Sequence, residues 1–405
     1  MQPAKNKFTI FKQIVGIIPA YLVPKLATEH DVDRRCRTFS AWSHTISMIF
    51  AHLTHALSLN DICDTLRLHQ GVLSTMRNAT APSRNGLSHA NRVRPASMAR
   101  ALFYQVLRHL TNSFPRFGRM DEAFKLPRKL KRTINLVDST TIQLFANCMS
   151  WAKHRRRKAA AKCHMLLDAQ TFLPRVAVIG SAACHDAVAA KTLCSTLRDG
   201  EFVVFDKAYI DFAHLYALKE RGVLWVNRAK SNMTYRIVKI VKRNFRNIIL
   251  DARIRLTGHK SSTAYPEAFR LIIADVVRDG KVVRMEFITD EFELAAATIC
   301  DLYKARWDIE IFFRQIKQTL KLSDFLGYNE NAVQWQIWMA LLTYVLLRFI
   351  AYTTKWKGTF ARLFTVLRGI LWSRLTCDGV SKFCGTAEDQ PRMCMQPQQL
   401  YLAIL

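Results

Sequence analysis

The sequence predicts an α/β core with helical segments before and after it. Three observations carry that prediction. The first 130 or so residues look helical and basic. From residue 133, short β-branched runs alternate with helical stretches. Residues 301–321, DLYKARWDIEIFFRQIKQTLK, then read as one long amphipathic helix.

In chain order, residues 39–59 are apolar at helical spacing, and Ser58 with Asp61 forms a capping-box pattern opening the next helix. Gly71 and Pro82 mark loops, and residues 83–110 mix Arg, Asn and Ser before another apolar helix. A basic linker, residues 126–132, leads to Thr133–Val137, read as a buried strand ending at Asp138. Trp151–Lys158 is a cationic loop, followed by strands near 163–168 and 172–180 and by a helical period over His185–Leu197. Glu201–Phe205 is a second buried strand ending at Asp206, and a helix near 211–221 closes at Gly222 before a strand at Val223–Val226. Residues 229–290 read as hairpins, with strands at Ile248–Thr257, Ala268–Val277 and Lys281–Thr289 and a turn at Asp279-Gly280. Helices near 332–353 and 358–374 follow the amphipathic one, and the tail after Cys384 has no pattern.

Composition narrows the class. Sixty Lys and Arg against 31 Asp and Glu give a formal charge of +29, which calls for a polyanionic partner, nucleic acid before an anionic membrane surface. The cations are spread along the chain, unlike a basic tail. Ten cysteines without a CxxC pair argue against a zinc finger and for buried thiols in a reducing compartment. Phe8–Pro24 resembles a signal peptide but is interrupted by Lys12 and Gln13. Ile337–Tyr352 is short for a membrane span and contains Arg348, so it reads as a buried helix.

At about 100° per residue, Tyr303, Arg306, Glu310 and Lys317 fall within roughly 60° of one another. Beside them runs an apolar stripe of Ile309, Phe313, Ile316 and Leu320. A carboxylate between two cations and a phenol suits a site that holds a metal ion and phosphates together. A solvated face with incidental ion pairs is the alternative. Asp138 and Asp206, each after a hydrophobic run, supply two further carboxylates at one sheet edge. Three such groups repel one another, and a pair of Mg²⁺ or Mn²⁺ ions relieves that repulsion and supports in-line phosphoryl displacement. Asp186 and Asp211 are weaker candidates for the second ligand, Asp138 or Asp206 could be plain helix caps, and His164 and His185 read as structural. The run Lys153–Lys158 is either a solvated charge cluster or a DNA contact, and Trp307 either packing or a base-stacking surface.

These residues carry a family resemblance. The spacing Tyr303, two residues, Arg306, three, Glu310, six, Lys317 is similar to the signature of the IS4-type insertion-sequence transposases. LVDSTTIQL (136–144) and VVFDKAYIDF (203–212) resemble that family's two aspartate motifs, and KCHMLLDAQTFLP (162–174) and HDAVAAKTL (185–193) its surrounding text. The likeness spans about residues 8–350. It implies a DDE transposase with a ribonuclease-H-like catalytic domain at 131–322, carrying a β-rich insertion at about 229–290. A helical DNA-binding domain, 1–130, would precede it and a helical segment, 323–405, would follow. It implies Asp138, Asp206 and Glu310 as catalytic ligands of two Mg²⁺ or Mn²⁺ ions. Tyr303, Arg306, Lys317, Lys207, Arg155, Arg156 and Arg157 would contact DNA. The partners would be terminal repeats and target DNA, engaged by a homodimer in the bacterial cytoplasm at the nucleoid. The second motif departs from the common Asp-Arg-Gly-Tyr: Lys207 keeps the charge, while Ala208 lacks glycine's freedom at positive φ. A silent DNA-binding protein, or another nuclease of this fold, is the competing reading.

Overall fold

The computed structural model describes residues 3–34, 36, 38–117, 132–144, 148–155, 158–182, 186–278, 281–320 and 326–384. Among these, helices come first: α1 (Ile10–Gly16), α2 (Leu22–Glu29), α3 (Ala41–Thr54), α4 (Leu59–Leu68), α5 (Gln70–Ser74), α6 (Arg84–Val93) and α7 (Ala96–Ser113). Thr9, Ser40, Ser58 and Ser83 cap four of them, each hydroxyl accepting a backbone N–H of the first turn. Ser58 and Asp61 form the expected capping box. Gly71 lies inside α5 instead of in a loop. Pro95 keeps Arg94 extended, which separates α6 from α7.

One ten-stranded sheet follows, built from β1 (Ile134–Leu144), β2 (Lys153–Arg155), β3 (Lys158–Asp168), β4 (Pro174–Ser181), β5 (Phe202–Phe205), β6 (Leu224–Arg228), β7 (Tyr235–Phe245), β8 (Ile248–Leu256), β9 (Phe269–Arg278) and β10 (Lys281–Thr289). The order is β2-β3-β1-β5-β6-β10-β9-β8-β7, with β4 paired to β3. Only β1, β5 and β6 run parallel to one another. The helices α8 (Met149–Ala152), α9 (Asp186–Leu193), α10 (Phe212–Glu220) and α11 (His259–Ala264) lie between strands. The turn after β3 is held by Asp168, whose carboxylate accepts the N–H groups of Gln170 and Thr171.

Further expectations are corrected, among them the loop Trp151–Lys158, which holds the end of α8, the strand β2 and the start of β3. Asp138 does not end its strand. The β-branched run Thr140–Ile142 keeps the chain extended, and β1 continues against β3 to Leu144. The hairpins expected over 229–290 are present and join the core sheet through β10 and β6, and the strand β7 adds to the three expected there. Residues 301–321 are not one regular helix. α12 (Ala296–Ala305) and α13 (Asp308–Arg314) are joined through Arg306 and Trp307, where Arg306, Trp307, Ile309 and Glu310 each donate to the carbonyl three residues back. A π-helical turn, Gln315–Thr319, follows. The turn at Asp279-Gly280 lies outside the described residues, as do His185 and the tail after Cys384.

The last helices are α14 (Glu330–Thr353), α15 (Phe360–Gly369) and α16 (Cys377–Cys384). By length and composition α14 could cross a membrane, but 89% of its apolar window is buried in the fold, as expected of a core helix. It packs on α3, α6 and α7, so the first and last helical segments share one apolar core. The eight described cysteines are free thiols.

His44 ties α3 to this core. Its Nε2–H donates to Asn91 Oδ1 at 2.8 Å, and its ring lies 4.4 Å from that of Trp335. Nδ1 is buried with no partner, so a proton there would be unsatisfied. Burial foremost, and then the Arg94 charge, hold its pKa down at about 3. The unfolded chain takes up that proton below pH ~6.5 and the folded chain does not, so stability present above pH ~6.5 is lost on the way to pH ~3. This residue is expected to remove about 2 kcal/mol between pH 7 and pH 5. Urea titrations of wild type and His44→Gln at both values check it: the pH slope should flatten in the variant, and parallel slopes would refute the assignment.

Candidate active site

The site begins with strand register. In parallel pairing Ile134 lies beside Phe202 and Val137 beside Phe205, so the next residues, Asp138 and Asp206, lie side by side. Alternation sets their face. Ile134 and Leu136 point into the large core beneath α12 and α13, and Asp138 follows at the same period of two. β5 stops at Phe205, and Asp206 opens a short 3₁₀ turn, Lys207–Tyr209. That turn buries Tyr209 and leaves Lys207 exposed.

The helices over this face complete the cluster. Ile299, Leu302, Ile309 and Phe312 are fully buried and anchor α12 and α13. Tyr303, 3% exposed, packs its ring 5.0 Å from that of Phe287 and donates from its hydroxyl to Asp206 Oδ1 at 3.4 Å. Arg306 lies in the tightened turn between the helices. Its Nη1 donates to Asp138 Oδ2 at 2.6 Å and its Nη2 to Glu310 Oε1 at 3.4 Å. One guanidinium therefore stands between two carboxylates, and the field of the third, Asp206, also reaches it. Its Nε is buried with no partner.

Burial pushes the Asp138 carboxyl up to about 6. Arg306 opposes that shift, and Asp206 and Glu310 add to it. Burial would lower the Arg306 pKa, but Asp138, Tyr303, Asp206 and Glu310 together hold it above its ordinary value. The donor set is one of hard oxygens, which suits Mg²⁺ or Mn²⁺. Among the described residues no three acidic, His or Cys groups sit as close as the ligands of one metal ion.

Other expected residues are placed elsewhere. Lys317 is half-buried in the π turn. Burial lowers its pKa, and the group bearing on it is the Cys163 thiol of β3, not the carboxylates. Trp307 packs partly buried against the core. Arg156 and Arg157 lie outside the described residues, as does the side chain of Arg155. Asp211 caps α10, accepting from Ala213 and His214. Asp186 is engaged by Lys162 Nζ at 2.7 Å and by the Ser139 hydroxyl at 3.1 Å. Burial would raise the Asp186 pKa, but Lys162, His164 and Ser139 overcome that and lower it. His164 is buried against the Tyr209 hydroxyl at 3.1 Å and lies 3.5 Å from Asp186, a structural placement. This network of Ser139, Lys162, Asp186 and Tyr209 flanks Asp138, and the sequence reading did not assemble it. Its signal is that all four residues sit within the motif stretches quoted above, Ser139 and Tyr209 in the two aspartate motifs, Lys162 and Asp186 in the surrounding text.

Removing the guanidinium would leave Asp138, 19% exposed, without its counter-charge. Arg306→Met is expected to cost about 3 kcal/mol at pH 8, read as a lower urea midpoint. Arg306→Lys should recover part of it, and no shift in either variant would mean that the pair contributes nothing to the fold.

Comparison with known proteins shows the family. Residues 129–346 match the family described as a transposase DDE domain, and residues 6–76 match a domain of unknown function. A putative transposase of Sinorhizobium fredii is 32% identical over 67% of this chain and 72% of its own length. A probable transposase for an insertion sequence of Geobacillus stearothermophilus is 30% identical over 56% of this chain and 59% of its own. The Escherichia coli transposase for insertion sequence IS4 is 25% identical over 46% and 42%. A solved piggyBac transposase synaptic complex with hairpin DNA covers 96% of this chain and 85% of its own at 11% identity. Its TM-score of 0.42 is too low to define a shared fold. The family match spans more than half of the 405 residues, over the strands and helix that carry Asp138, Asp206 and Glu310: the chain belongs to the DDE transposases of insertion sequences.

Proposed function

We propose that this transposase cuts DNA at the ends of its insertion sequence by hydrolysis and joins the freed 3′-hydroxyl to target DNA. The observation that supports this most is the register of β1 on β5, with Asp138 beside Asp206, and the reach of Arg306 from Asp138 to Glu310. Asp138, Asp206 and Glu310 would hold two Mg²⁺ or Mn²⁺ ions. Bound there, such a pair supplies activation of the attacking oxygen and relief of charge on the leaving oxygen of an in-line displacement.

The remaining roles belong to the chain's own groups. In this reading Tyr303 and Arg306 fix the carboxylates. The exposed Lys207, beside Asp206, would contact the backbone of a bound strand in this reading. Lys317 and the arginines 155–157 extend that contact in this reading. The net charge of +29 supports a DNA partner, here terminal repeats and target DNA held by a homodimer. The free thiols fit a reducing cytoplasm, and the charge fits residence at the nucleoid.

The test is cleavage of DNA carrying the flanks of this gene, with Mn²⁺, by wild type and by Glu310→Gln. The variant is expected to bind as wild type does and to leave the strands intact. Equal cutting by the two proteins would remove Glu310 from the site.

A further inference from the structure

Strand β7 reads Tyr-Arg-Ile-Val-Lys-Ile-Val-Lys-Arg-Asn-Phe, a cation every third residue over Arg236, Lys239 and Lys242. In a regular strand, residues three apart alternate between faces. Here they do not. The pairing with β8 slips twice, between Ile237 and Lys239 and between Ile240 and Lys242, and each slip leaves one extra residue on β7, Val238 and Val241. Arg236 consequently lies opposite Arg255, Lys239 opposite Arg253 and Lys242 opposite Asp251. Those partners alternate along β8, so all three cations fall on one face of the sheet.

Arg253 and Arg255 share that face and are exposed, as are Arg236, Lys239 and Lys242. Two of the cross-strand pairs, Arg236 with Arg255 and Lys239 with Arg253, set like charges directly opposite each other, which is destabilising in an isolated fold. The single carboxylate in the row, Asp251, is already bound by Arg270 at 2.7 Å. Among the described residues none of the five exposed cations makes an ion pair, although Arg253 lies 4.6 Å over the Phe292 ring and Lys242 over that of Phe245.

The face is the one that carries the carboxylates. A row of directly opposed residues runs from Lys242 through Asp251 and Ile272 to Phe287, and Phe287 touches Tyr303. Four strands at about 4.8 Å spacing put Lys242 about 14 Å from Phe287. Along the ribbon the cations recur about every 7 Å over about 14 Å, the rise of roughly four base pairs. The one side-chain amide of the two strands, Asn244, lies past Lys242 and outside the row of cations.

We infer that the face of the β7–β8 ribbon bearing Arg236, Lys239, Lys242, Arg253 and Arg255 is a sequence-independent docking surface for the phosphate backbone of duplex DNA engaged at the carboxylate site. This rests on the transposase reading above. A second copy pairing along β7 would bring cation against cation, so charge selects a polyanion over self-association.

The test is fluorescence anisotropy of a random-sequence duplex with the full chain, between 50 and 200 mM NaCl. It compares wild type, Arg236→Gln/Lys239→Gln/Lys242→Gln, and Ile237→Thr/Ile240→Thr, which alters the opposite face. The cation-face variant should lower the slope of log K against log salt by about 2.7, with a melting temperature unchanged or raised; the apolar-face variant should keep the wild-type slope. Equal slopes in wild type and the cation-face variant would overturn the ribbon assignment alone. A wild-type chain that binds no duplex would overturn it together with the transposase reading. Loss of binding to phosphatidylserine vesicles with the DNA slope intact would overturn it in favour of a membrane surface.

Discussion

The structure around the carboxylates depends on one electrostatic conflict. In-register pairing of β1 with β5 forces Asp138 and Asp206 into adjacent positions on one face, and the helix above adds Glu310. Burial first, and then the charges of Asp206 and Glu310, raise the Asp138 pKa, and positive charge among the three opposes that rise. Arg306 is that charge within the chain, 6% exposed and bonded to two of the three. The arrangement is a set of fixed acids whose repulsion a protein group partly offsets, which is the feature the proposed cation binding relies on.

The same contacts account for the irregular helix. A regular α-helix through 301–321 would place Arg306 and Lys317 on one narrow stripe. Instead the turn at Arg306 and Trp307 tightens to bonds three residues apart, and a π turn widens the chain at Gln315–Thr319. The tight turn fixes Arg306 where α12 gives way to α13, within reach of both strand and helix carboxylates. Lys317 lies within the π turn, where the group bearing on it is the Cys163 thiol of β3. Tightened and widened turns in one helix cost backbone hydrogen-bond quality, and such departures are found mostly where function requires them.

How much was legible follows from periodicity. The FVVF run before Asp206 is short, apolar and β-branched, and it is a buried strand. The capping box at Ser58 is local chemistry and needs no tertiary context. α14 is apolar around its whole circumference, so burial in a core or in a membrane gives the same text, and only Arg348 and its length favoured the core. The continuation of β1 past Asp138 was hidden because Ser-Thr-Thr resembles a cap as much as a strand; its pairing with β3, distant in sequence, decides. The helix break was hidden because each residue from Ala305 to Asp308 is compatible with helix, and the deviation comes from side-chain bonds to strands. β7 was hidden for the opposite reason: a period of three matches neither strand nor helix until two bulges convert it to a period of two.

The same bulges bear on how the sheet is built. An insertion that merely continued β6 could have used regular strands with alternating polar and apolar residues, and its edge would then carry charge on one face by simple alternation. β7 instead carries an apolar pair, Ile-Val, between successive cations, and admits an extra residue at each repeat. Ile237 and Ile240 thereby lie opposite Ile254 and Ala252 on the second face, while the charged residues collect on the first. Bulges also twist an edge and hinder pairing with another strand. The bulged edge thus hinders pairing with another strand, while its cations lie on the same side of the sheet as Tyr303 and the carboxylates, with the buried Asp251, Ile272 and Phe287 between them.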